Sequence, residues 1–262
     1  MSEDIRLITG NDSRSPIAEA YRAIRTNLQF AGAGKELKCI SFTSSTPGEG
    51  KSTTISNVAV AMGQDGKKVL LVDCDMRKPV QHKFFGLKNN GLTNIIAMGK
   101  DFDEMVNKEV FPGVDVLVSG PIPPNPSELL GSAKMNELLE QVKGTYDYIL
   151  LDMPPILAVT DAAVMASQVD GVVFVIRSGA ISPEEAKEAK KRLLQGHANL
   201  LGVVLNAVPQ SKRNGSGYGY YYYYYDEDHV KHKKEGKEGK ASSIEMVRQK
   251  AEEFIMQMKK SF

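Results

Sequence analysis

The most chemically specific stretch of the chain is Ser45-Thr46-Pro47-Gly48-Glu49-Gly50-Lys51-Ser52. It nearly matches the Walker A pattern G-x-x-x-x-G-K-[ST], with Ser45 in place of the first glycine. Gly48 and Gly50 let backbone N–H groups close around phosphate oxygens with no Cβ in the way. A helix opening at this point adds partial positive charge. Lys51 has the reach to meet β- and γ-phosphates, and the Ser52 hydroxyl is a ligand type for Mg2+. The stretch therefore predicts an ATP and Mg2+ site built from Pro47, Gly48, Glu49, Gly50, Lys51, Ser52 and Thr53.

Two further acidic positions fit that chemistry. Val69-Leu70-Leu71-Val72-Asp73-Cys74-Asp75 ends an apolar run on two carboxylates, and Ile149-Leu150-Leu151-Asp152 ends another on one, as a Walker B strand does. A charge at the end of a buried strand is costly unless it meets water, a cation or a metal. In an open α/β sheet that same edge is where ligands bind. Asp73 and Asp152 are thus candidates, with Ser52, for holding Mg2+. Asp75 taken alone is also compatible with capping the following loop.

These residues need elements to position them. Residues 37–43, 68–73, 114–118, 148–152, 171–177 and 200–206 read as strands. Most are near-continuous apolar runs, the mark of strands buried on both faces of a parallel sheet. Helical patterns fall between them at 52–64, 127–142, 161–167 and 183–195, the last with Ser182 before Pro183 and acidic residues in its first turn. The alternation predicts a doubly wound, mostly parallel α/β sheet. A helix over 16–30, containing Glu19, Arg22 and Arg25, precedes it, so that residues 1–210 form one domain and 211–262 a tail.

At 262 residues the chain is long enough for a sizeable core, and its net charge of +1 provides no field for nucleic acid. From Ser211 onward, 11 Lys/Arg stand against 8 Asp/Glu, too slight an excess for a membrane surface. The two cysteines, Cys39 and Cys74, sit in apolar runs and read as reduced core thiols of a cytosolic protein. The polar start Met1-Ser2-Glu3-Asp4 and the lack of a long apolar run predict neither a signal peptide nor a membrane span. Any membrane role is expected to come through a partner.

Of ten tyrosines, seven lie close together: Tyr218, Tyr220, Tyr221, Tyr222, Tyr223, Tyr224 and Tyr225. The preceding Asn214-Gly215-Ser216-Gly217 has little means to fold, so the cluster reads as a flexible C-terminal tail. Six consecutive phenols in a packed element would need six hydroxyl partners. A multi-tyrosine tail beside a Mg-ATP site reads as a phosphoacceptor. Further on, Ile244, Val247, Ala251, Phe254 and Met258 are spaced as one face of a helix.

Six motifs in order carry a resemblance. They are Glu19-Ala20-Tyr21-Arg22-Ala23-Ile24-Arg25, the stretch from Pro47 to Thr53, Asp73-Cys74-Asp75-Met76-Arg77-Lys78-Pro79, Gly120-Pro121-Ile122-Pro123-Pro124-Asn125-Pro126, Asp152-Met153-Pro154-Pro155 and the tyrosine cluster. Together they resemble the bacterial tyrosine-kinase (BY-kinase) family, cytoplasmic kinases of capsule and exopolysaccharide production, on a MinD/ParA-like P-loop fold. The resemblance implies autophosphorylation in trans, with Lys51 on the phosphates, Asp75 accepting the tyrosine proton, and Ser52, Asp73 and Asp152 organising Mg2+. It implies that Glu19-x-x-Arg22-x-x-Arg25 joins copies into a ring, although the same charges suit a salt-bridged helix surface. It also implies a membrane-spanning activator of the polysaccharide co-polymerase type, recruitment to the inner face of the membrane, and a counteracting tyrosine phosphatase. Asn206, ending the last strand, resembles an adenine-contacting Asn of related ATPases.

Met153 departs from the family's usual Ser or Thr, so a hydroxyl contact is lost there. Two other functions compete. A ParA/MinD-like partitioning ATPase shares the core but carries a second lysine where Thr46 stands here, and has no use for a tyrosine run. A nucleotide-gated, non-catalytic adaptor of an export complex shares the site without the chemistry.

Overall fold

A computed structural model describes residues 7–209, apart from 33 and 35. The tyrosine cluster and the segment 242–262 lie outside the described residues. Seven strands form one sheet in the order β3-β4-β2-β5-β1-β6-β7. They are β1 (Cys39–Ser44), β2 (Val69–Asp73), β3 (Asn107–Phe111), β4 (Val114–Leu117), β5 (Tyr148–Asp152), β6 (Gly171–Arg177) and β7 (Leu200–Asn206). All neighbours run parallel except β3 against β4. The mostly parallel, doubly wound sheet is as the apolar runs predict. The unit that carries it closes at Asn206.

Ten helices among the described residues connect the strands: α1 (Ile8–Asn11), α2 (Pro16–Ala31), α3 (Lys51–Gln64), α4 (Gln81–Phe84), α5 (Leu92–Met98), α6 (Phe102–Met105), α7 (Pro126–Leu130), α8 (Ala133–Lys143), α9 (Asp161–Ala166) and α10 (Pro183–Gln195). Ile55, Val58, Ala59 and Met62 of α3 pack on Ile40 and Phe42 of β1, Leu71 of β2, Leu150 of β5 and Val173 and Val175 of β6. Leu28 of α2 lies in the same cluster, behind α3. Burying one Leu, Ile or Phe side chain contributes about 1.5–3 kcal/mol, so this cluster anchors the start of α3 on the sheet.

Three local readings need correction. Residues 127–142 are not one helix: Gly131 ends α7, and the Ser132 side chain accepts from the Met135 N–H to start α8. Strand β3 is additional, joined to β4 by a turn with Pro112 and Gly113 at its centre. Gly113 has φ +75, the left-handed conformation that favours glycine. Helices α4 to α6, between residues 81 and 105, were also outside the expected set. The helix start expected at Ser182-Pro183 is present, and the structure makes it a capping box: Ser182 Oγ accepts from the Glu185 N–H, and the Glu185 carboxylate accepts from the Ser182 N–H. Both cysteines are buried, and burial pushes the Cys39 thiol up to about 12 and the Cys74 thiol well above its ordinary value. They are core groups, as expected.

Candidate functional site

The phosphate loop connects β1 to α3. Gly50 takes a left-handed conformation at the N-cap of α3, and its carbonyl accepts the helix's first bond from the Thr54 N–H at 2.9 Å. The N–H groups of Lys51, Ser52 and Thr53 thus precede that first helical bond, which makes the turn an anion-binding end. Glu49, expected among the nucleotide contacts from its place in the motif, turns its side chain inward instead. It is 1% exposed, with Oε1 accepting from the Thr46 N–H at 2.6 Å and Oε2 from the Arg177 N–H at 3.1 Å. It braces the loop, and only its backbone is suited to a phosphate.

Asn206 closes over the loop, its Nδ2 donating to the Glu49 carbonyl at 2.9 Å. A Cβ on Gly50 would lie 2.1 Å from that Nδ2, at φ +89. Gly50→Ala is therefore expected to lose about 1–3 kcal/mol in urea denaturation and to displace Asn206 from the loop. An unchanged midpoint would contradict this.

Parallel pairing of β2 with β5 sets Asp73 beside Asp152, both with no solvent exposure. Lys51, the first residue of α3, reaches across the edge of the sheet. Its Nζ lies 3.1 Å from Ser52 Oγ, 3.1 Å from Asp75 Oδ2 and 3.2 Å from Asp152 Oδ1. Burial pulls the Lys51 ammonium down, but the Asp152 and Asp75 carboxylates outweigh it and its pKa stands above the ordinary value. Asp73 accepts from the Val80 and Gln81 N–H groups at 3.0 and 2.9 Å, and from the Asp75 N–H at 3.2 Å. Burial first, and Asp152 next, push its carboxyl up to about 7.

Three oxygens of Ser52, Asp75 and Asp152 thus converge on one cation, the Lys51 ammonium. An all-oxygen set with buried carboxylates suits a hard divalent ion such as Mg2+. Among the described residues, no group of three His, Cys, Asp or Glu side chains forms a ready-made ion cage. Such an ion would depend on phosphate oxygens for its remaining ligands.

Gln81, Ser127 and Asp161 at this edge had no motif to flag them. Gln81 is wholly buried, and its side chain meets Ser56, Ser52 and Asp152. Arg77 forks onto buried Asp161, with Nε and Nη2 at 3.1 and 3.0 Å, and Ser127 also donates to Asp161. This ties the loop after Asp75 to the starts of α7 and α9. Met153 is fully buried, so the missing hydroxyl is replaced by core packing.

The charges of α2 divide. Glu19 pairs with Arg22 at 2.7 Å, and Arg22 also donates to the Ser13 carbonyl. Arg25 instead donates to the Ala61 carbonyl of α3 at 3.1 Å and lies 3.4 Å from Asp65. Among the described residues no helix is long and apolar enough to cross a membrane.

Comparison with known proteins places this geometry. The AAA domain family model matches residues 37–193. The tyrosine-protein kinase YwqD of Bacillus subtilis (strain 168) is 45% identical over 213 residues, covering 81% of this chain and 90% of that one. The kinase domain of the Escherichia coli tyrosine kinase ETK is similar in structure, with a TM-score of 0.77 at 34% identity, over 84% of this chain and 87% of that one. The septum site-determining protein MinD of Pyrococcus horikoshii OT3, complexed with Mg-ADP, is a more distant likeness. Its TM-score is 0.57 at 25% identity, over 67% of this chain and 72% of that one. At these identities and coverages, the chain belongs to the bacterial tyrosine-kinase family.

Proposed function

We propose that this chain is a protein-tyrosine kinase that moves the γ-phosphoryl group of Mg-ATP onto Tyr218 and Tyr220 to Tyr225 of another copy. The observation that carries the reading is the convergence of Lys51, Asp75 and Asp152 at the mouth of a phosphate loop. Bound Mg2+ would neutralise charge on the β- and γ-phosphates, held through Ser52, Asp73 and Asp152. Lys51 exchanges its carboxylate partners for phosphate oxygens, with the N–H groups of Lys51, Ser52 and Thr53 around them. Asn206, over the loop, is the candidate for the adenine contact.

Asp75 is the only one of the three carboxylates with any exposure, at 5% against none for Asp73 and Asp152. It is therefore the one an incoming phenol can reach. The phenol, with a pKa near ~10, passes its proton to Asp75 as its oxygen bonds to the γ-phosphorus and the bond to ADP breaks. Glu19 and Arg22, more exposed than Arg25, supply the contact between copies in a ring. A membrane-spanning co-polymerase-type partner as activator, recruitment to the inner face of the membrane, an opposing tyrosine phosphatase and a role in polysaccharide export belong to the same proposal.

The test is phosphotyrosine mapping by mass spectrometry after incubation with Mg-ATP, beside a Lys51→Met control. Several phosphates within residues 218–225, absent in the control, are expected. ATP hydrolysis with no phosphotyrosine, even with an activator fragment added, would favour a partitioning-type ATPase. Against that rival, Thr46 stands where the second lysine belongs, its N–H and hydroxyl both given to Glu49.

A further inference from the structure

We propose that Gln81 is a positioning residue that sets the orientation of the Mg2+-organising carboxylates and couples them to the phosphate-loop helix. This rests on the kinase reading above, and deepens it at a residue that no motif marks. Gln81 opens α4, one loop beyond Asp75, and has no solvent exposure. Its Nε2 donates to Asp152 Oδ2 at 2.7 Å and lies 3.4 Å from the Ser52 carbonyl. Its Oε1 accepts from Ser56 Oγ at 2.7 Å, and Ser56 Oγ in turn sits 2.7 Å from the Ser52 carbonyl. Its backbone N–H donates to Asp73 Oδ2 at 2.9 Å.

One residue therefore touches Asp73 through its main chain and Asp152 and α3 through its side chain. Asp152 has its two oxygens divided, Oδ1 toward Lys51 and Oδ2 toward Gln81. A buried carboxylate held by two donors from opposite sides has one orientation, and that orientation decides which oxygen faces an incoming cation. The Ser56 hydroxyl can meet either end of the amide, but the amide cannot turn over without setting its oxygen against the Asp152 carboxylate, and that fixes Nε2 on Asp152. The tether runs from Ser52 and Ser56 through Gln81 to both acidic strands. Partners of this kind, which orient metal-organising groups, typically alter metal affinity or activity ~10–100-fold when removed.

The experiment compares wild type, Gln81→Ala, Gln81→Glu and Ser56→Ala by titrating Mg2+ against binding of a fluorescent ADP analogue, with an EDTA series as baseline. Melting temperatures are recorded alongside. The expected result is unchanged analogue affinity in EDTA for all four proteins. The Mg2+ concentration for half-maximal tightening should rise about 10–100-fold in Gln81→Ala, with a smaller shift in the same direction in Ser56→Ala. Gln81→Glu keeps the shape but sets a carboxylate against Asp152, and should not restore the wild-type titration.

Superimposable Mg2+ titrations would overturn the proposal, as would an equal loss of analogue affinity with and without Mg2+, which marks mere support of the loop. If Gln81→Ala does not fold, Ser56→Ala and Gln81→Glu decide on the same criterion. Failure of the kinase reading is separately visible: the wild type would then show no phosphotyrosine, whatever the Mg2+ titrations show.

Discussion

Replacing Lys51 by Met is expected to abolish tyrosine phosphorylation and, in the same protein, to lower the melting temperature substantially. The first effect follows from removing a preorganised cation from the developing charge, a loss of about 10²–10³ in rate for one such donor. The second follows from what Lys51 holds. Its side chain is 10% exposed, against 8% for Asp75 and none for Asp152, so solvent screens these pairs little. Removing one partner of a buried ion pair leaves uncompensated charge and costs about 3–5 kcal/mol. For a domain of this size that is on the order of 10 °C.

Lys51→Arg separates the two effects. It keeps a cation near the carboxylates but replaces a compact ammonium with a planar fork that the turn does not fit. It should recover much of the melting temperature and little of the phosphorylation. A melting temperature for Lys51→Met equal to wild type would show that Asp75 and Asp152 do not depend on Lys51 in solution. The convergence of charges described above would then not carry the functional reading.

The sequence showed the sheet because β1, β2, β4, β5 and β6 are buried almost throughout, and all of these but β1 consist mainly of Val, Ile and Leu. It hid β3 because that strand is an antiparallel edge: Asn107, Lys108 and Glu109 are polar and partly exposed, so neither alternation nor an apolar run marks them. The Pro112-Gly113 turn was the available signal. The split between α7 and α8 was visible as Gly131-Ser132, a stop followed by a cap, but the apolar periodicity of residues 127–142 masked it. At the site, Lys51, Ser52, Asp73, Asp75 and Asp152 were legible because their chemistry demands those types at strand ends and in a glycine loop. Gln81 and Asp161 were not. A buried amide or carboxylate acquires its role from partners far along the chain, such as Asp152 for Gln81 and Arg77 for Asp161. The inward turn of Glu49 was hidden in part for the same reason, since beside the nearby Thr46 N–H its partner is the main chain of the distant Arg177.

Asp73→Asn should make the fold more stable at neutral and alkaline pH while removing activity. Asp73 lies directly beside Asp152 in parallel register, both wholly buried. Burial and that neighbour raise its pKa from 3.8 to about 7, against the pull of the Gln81 and Val80 N–H groups and Lys51. A carboxyl whose folded pKa is raised keeps a proton that the unfolded chain releases. Between about pH 4 and pH 7 the fold therefore loses stability as pH rises, and above that window the loss is complete. At 1.36 kcal/mol per unit the full cost is at most ~4 kcal/mol.

Asparagine carries no charge across that window. Its carbonyl can still accept from Val80 and Gln81, but its N–H2 faces the Asp75 N–H, forfeiting one bond worth about 1 kcal/mol. The net gain should be roughly 2–3 kcal/mol at pH 8, shrinking toward pH 5, read as urea midpoints at the two values. A variant less stable than wild type at pH 8, or a difference that does not change with pH, would refute this. The sign matters for function: a fold that would be steadier with a neutral residue keeps a carboxylate where a cation has to be met, the pattern expected of an active-site residue rather than a structural one.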